Sequence, residues 1–132
     1  MSSSRSGISF ATALIVSVAA FQSLPAMASD SNKWRIEVNH NAHSDGQVVF
    51  RVEPKGGQPT DVIVDIAKDT SENKVAVAIR DAFRAQLPEE AYHIERDDGE
   101  DVLVKKKHGA ANFSLTLVSS SVENVKFDIE KE

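Results

Sequence analysis

Apolar and polar positions alternate along most of this chain, and one stretch breaks the rhythm. Trp34, Ile36 and Val38 share one phase while Lys33, Arg35 and Glu37 take the other, the period-two signature of a half-buried strand. Val48, Phe50 and Val52 repeat it after Asp45-Gly46, a turn signal. Pro54-Lys55-Gly56-Gly57-Gln58-Pro59 is a loop by composition, and residues 61–66 form a third strand rich in β-branched side chains. The break follows. Val75, Ile79, Ala82, Phe83 and Leu87 recur at helical spacing and make one apolar stripe, with Arg80, Asp81, Arg84 and Gln86 nearer solvent. Asp69 is placed to cap this helix, Glu72 completes a capping box, and Pro88 stops the helix after Leu87.

Strands resume at 91–95 and 102–106, joined across Asp97-Asp98-Gly99-Glu100, because Asp-Gly tolerates the positive φ of a tight hairpin. Phe113, Leu115 and Leu117 mark the next strand. Val125, Phe127 and Ile129 mark the last, after a serine turn at Ser119-Ser120-Ser121. The order β-β-β-α-β-β-β-β predicts an α+β fold, one amphipathic helix packed on an antiparallel or mixed sheet.

The N-terminus reads differently. Arg5 begins a short positive region, an apolar run extends from Ile8 to Phe21, and Pro25 ends it. Ala26 and Ala28 then supply the small residues of a signal-peptidase site, with cleavage before Ser29. The apolar run is shorter than the roughly 20 residues of a membrane-spanning helix. A leader over residues 1–28 and a single domain over 29–132 are expected. The destination is the periplasm or the medium of a bacterial cell, without stable membrane insertion after cleavage.

Composition narrows the chemistry. With 15 Lys+Arg against 20 Asp+Glu, the net charge of −5 disfavours nucleic acid as a partner. No cysteine is present, which removes disulfides, thiolate metal sites and a thiol nucleophile. From Gly46 onward, the segments 46–52, 61–66, 69–87, 92–106 and 112–118 follow a pattern of paired strands, a capped alanine-bearing helix and an Asp/Gly/Val-rich hairpin. In this order they resemble small strand-strand-helix-strand-strand modules of phage tail and bacterial surface or adhesion proteins. That resemblance implies a non-catalytic structural or interaction role.

Candidate sites are few. The aromatics beyond the leader, Trp34, Phe50, Phe83, Tyr92, Phe113 and Phe127, fall in phase with neighbouring aliphatics, so the core absorbs them. His40 and His43, with Asp45 close by, have a spacing that zinc or copper can use, although no further histidine completes the site. Glu95, Asp97, Asp98, Glu100 and Asp101 crowd carboxylates into the hairpin, but the residue order of an EF-hand is absent and the turn explains Asp98-Gly99 without metal. Lys105-Lys106-Lys107 could suit an acidic partner or sulfated glycan, but nearby acids offset its charge, and a solvated strand end protected from edge pairing is the preferred reading. No nucleophile elbow or phosphate loop occurs. Val49, Ile63 and Leu103 occupy the phase opposite the core and are the candidate interface stripe. The reading is a small exported binding protein that needs no cofactor and meets a protein or surface polymer. A metal or small-ligand carrier built on His40, His43 and Asp45 is the alternative, and a hydrolase without a local motif the third.

Overall fold

The computed structural model describes residues 29–132. The expected leader, with Ala26 and Ala28 of its expected cleavage site, lies outside the described residues. The alternating segments form strands β1 (Lys33–Asn39), β2 (Gly46–Pro54), β3 (Thr60–Ile66), β4 (Tyr92–Asp97), β5 (Asp101–Lys106), β6 (Phe113–Ser120) and β7 (Lys126–Lys131). The helical stripe forms α1 (Glu72–Gln86), between β3 and β4. The fold is α+β, with every strand pair antiparallel.

The strands divide into two sheets, ordered β4-β5-β1-β7 and β3-β2-β6, where the periodicity pointed to one. The chain changes sheet between β1 and β2. His40 takes a left-handed φ of 74° there, and buried Ala42 exchanges backbone hydrogen bonds with Thr70 and Asp69. This pins the loop against the link from β3 to α1, so β2 cannot fold back onto β1. β1 instead lies between β5 and β7, partners that come late in the sequence.

The inner phases of both sheets meet in one core that α1 completes with Val75, Ala76, Ile79 and Phe83. Phe50 is its hub. The ring stands edge-on to Phe83 of α1 and to Phe127 of β7, with centroids 5.5 Å away in each case, and so ties helix and both sheets together. Tyr92 and Phe113 make a second edge-on pair at 5.1 Å. The Trp34 indole N–H donates to the Phe113 carbonyl at 2.8 Å, which satisfies its one polar atom inside the core. All the aromatics expected inside are buried except Phe127, which is half-buried against the core.

Local signals hold with two shifts. The helix cap is Ser71, whose side chain accepts from the Lys74 N–H, and not Asp69, which adopts φ 70° in the turn before it. Glu72, freed from a capping box, accepts the His40 N–H at 2.8 Å and fastens the β1–β2 loop to the helix start. Ser119 and Ser120 belong to β6 and face Val49 and Val48, so the expected serine turn begins later. The Asp98-Gly99 turn forms as read, both residues at positive φ.

Candidate functional site

The residues singled out for an interface do not form one stripe. Val49 and Ile63 are cross-strand partners on the outer face of the three-stranded sheet, where Ile63 is exposed. Leu103 lies in the other sheet, opposite Arg35 on one side and Glu95 on the other, and is 5% exposed. The long charged neighbours close over it, which alternation alone cannot reveal. Leu103 therefore leaves the candidate interface.

Besides Ile63, the exposed large apolar residues lie at the end of β6. A bulge between Val49 and Phe50 inserts Val118 as an extra residue, and Leu117 and Val118 are both exposed. Leu117 pairs with Phe50 and so sits on the core phase, yet it is 41% exposed. The reason is missing cover. β6 and β7 are edge strands of different sheets that approach without pairing, and on β7 the core-phase residues Phe127 and Ile129 are also only half-buried. Phe113 exchanges both backbone hydrogen bonds with Ser31, so its N–H and C=O point away from β2. The period of two makes Leu115 and Leu117 point the same way. Among the described residues nothing pairs with those two backbones.

The other edge of that sheet is partly closed. The Gln86 side-chain amide both donates to the Ile63 carbonyl and accepts the Ile63 N–H, at 2.8 and 2.9 Å, occupying the edge of β3 from the helix. β3 also carries Asp61 and Asp65, whereas β6 has no charge anywhere along its length. Edge strands normally carry such charges as protection from pairing, and β6 lacks them. The charge-free run from Gly109 to Val122 was the signal in the sequence that could have marked this edge.

The histidine loop does not assemble a ligand set. His43 bonds through its ring to the Asn124 side chain, Asp45 accepts the Lys68 N–H at 2.7 Å, and the His40 backbone, at a left-handed φ, donates to Glu72. Lys105 sits within the four-stranded sheet, not at an edge, because β5 lies between β4 and β1, and it pairs with Glu95 at 3.5 Å. Its role is to neutralise acids on that face. A cavity of about 320 Å³ opens between the end of α1 and β4, floored by Phe83, Leu87 and Tyr92. Arg84 at its rim is committed to the Ile94 carbonyl through two N–H groups.

The outer face of the four-stranded sheet is dense in charge. Arg35 reaches Asp97, Asp101 and Glu132 at once, and these hydrogen bonds, Glu132 first, hold its guanidinium charged. Glu132 is in turn held below the usual carboxylate range by Arg35. Glu37 goes the opposite way. Desolvation, then the charges of Asp101, Asp128, Glu100 and Glu130, push its carboxyl above the ordinary value.

No protein-family model matches this chain, and no curated protein does. No helix among the described residues is long and apolar enough to cross a membrane.

Proposed function

We propose that this protein is an exported, non-enzymatic binding module that takes an extended segment of a partner protein as an added strand along β6. The observation that carries this reading is the open end of β6, where the Leu117 backbone lacks a partner and its core-phase side chain is exposed, just beyond buried Leu115. An extended polypeptide is the ligand that matches a row of alternating donors and acceptors, and apolar side chains at every second position match Leu117, Phe127 and Ile129. The absence of charge on β6 leaves no cost of burying an unpaired ion there. The resemblance to phage-tail and surface modules points to the same class of role. Export rests on the pattern of residues 1–28.

The test is amide hydrogen exchange on the full chain with a blocked Val-Thr repeat peptide as the probe. Protection of the Leu117 amide by the peptide, lost in Leu117→Asp, is expected. No protection, or protection that survives Leu117→Asp, overturns the reading. Protection that rises with protein concentration and no peptide also overturns it, since the occupant is then a second copy.

A further inference from the structure

We infer that Glu37, Glu100 and Asp101 form a binding site for a divalent cation of the calcium class on the outer face of the four-stranded sheet. The site lies on the other sheet from β6 and stands apart from the strand-binding reading. It rests on a register that no local pattern carries. Asp97 pairs with Asp101, Asp101 with Glu37, and Glu37 with Asp128, so four acidic residues lie in one row across β4, β5, β1 and β7. Like charges directly opposite each other destabilise a sheet. Arg35 relieves part of the row at Asp97 and Asp101 but makes no ion pair with Glu37. Asn39 donates to Asp128 at 3.1 Å, which supplies a hydrogen bond and no charge.

A second, independent feature is Asp101 itself. Its side chain is 10% exposed, and among the described residues its Oδ1 is a buried oxygen with no hydrogen-bond partner. Oδ2 is taken by Arg35. Oδ1 is therefore the oxygen that Asp101 has to offer the cluster, and a buried acceptor left unmatched is costly unless something meets it. One carboxylate oxygen from each of Glu37, Glu100 and Asp101 lies within 4.8 Å of the others. Oxygens that close can share one calcium ion, whose Ca–O distances are about 2.4 Å and whose flexible geometry suits a cluster built on strand register. Arg35 is shared with Asp97 and Glu132, so Glu37, Glu100 and Asp101 keep a negative excess that a divalent ion offsets. All donors are oxygen, the preference of a hard cation.

Calorimetric titration of the chelator-treated full chain with calcium chloride, at neutral pH and constant ionic strength, tests the site. One saturable event is expected, with a dissociation constant of about 10⁻⁴–10⁻³ M, typical of extracellular calcium modules. Magnesium should bind more weakly. Glu37→Gln should weaken calcium at least about tenfold. It should also cancel the calcium-dependent rise in Tm while raising the Tm of calcium-free protein, because the like-charge contact is gone. Asp101→Asn is the harsher variant, and Glu37→Gln carries the conclusion if that one fails to fold. Absence of saturable binding, unchanged calcium affinity in Glu37→Gln, or magnesium binding as tight as calcium overturns the proposal.

Discussion

The four-stranded sheet covers its outer face with charge, whereas the three-stranded sheet leaves apolar residues on its own. Both turn their inner phases to the same core, so the difference does not come from burial of the interior. It comes from neighbours. On the four-stranded sheet Leu103 is closed over by Arg35 and Glu95, and acids from four strands share one row. On the three-stranded sheet Ile63, Leu117 and Val118 stay open and the far side of β6 is unpaired. A face dense in carboxylates suits an ion, and an uncharged open edge suits another strand.

The contrast breaks most readily at Arg35. Arg35→Met strips the cation from Asp97, Glu132 and buried Asp101 together. Removing the partner of a largely buried carboxylate costs several kcal/mol, and with Arg35 itself partly open to solvent about 2 kcal/mol is expected in urea unfolding. A loss within experimental error would mean that this face is no more than solvated charge.

A pH profile of Tm sharpens the comparison. Glu37 has a raised folded pKa, so its ionised form is disfavoured in the folded state and the penalty is present above that pKa. Stability should rise as pH falls from neutral through it. Glu132, Glu95 and Asp61 are depressed, by Arg35, by His93 with Lys105, and by Arg51. The stability they contribute is present above their unfolded values and is lost as pH falls through the folded ones. The expected profile climbs and then drops. Glu37→Gln should remove the climb and leave the drop, and a profile unchanged in that variant would take Glu37 out of the account.

The smallest effect belongs to the three-stranded face. Arg51 and Asp61 form an exposed ion pair across β2 and β3 with a closest distance of 2.7 Å, and solvent screens it. Arg51→Gln should leave Tm unchanged in thermal unfolding. A loss comparable to that of Arg35→Met would erase the distinction between the faces.

Ile36, Phe50, Val64 and Phe83 could be assigned to the core from the chain alone, because periods of two and 3.6 report which way a side chain points. The Asp98-Gly99 turn and the end of α1 at Pro88 were legible for the same local reason. The helix start was read two residues early, since Asp69 and Ser71 are both capping residues and only the turn at Asp69 decides between them.

The sequence by itself determined the α+β class, the order of elements and the phase of each strand, all of which depend on residues close in the chain. The tertiary structure decided that β1 would lie between β5 and β7, and that choice split the strands into two sheets. It brought Glu37 beside Asp101, buried Leu103 and left β6 unpartnered on one side. Pairing between strands far apart in sequence follows from how the whole core closes around Phe50, and no local period encodes it.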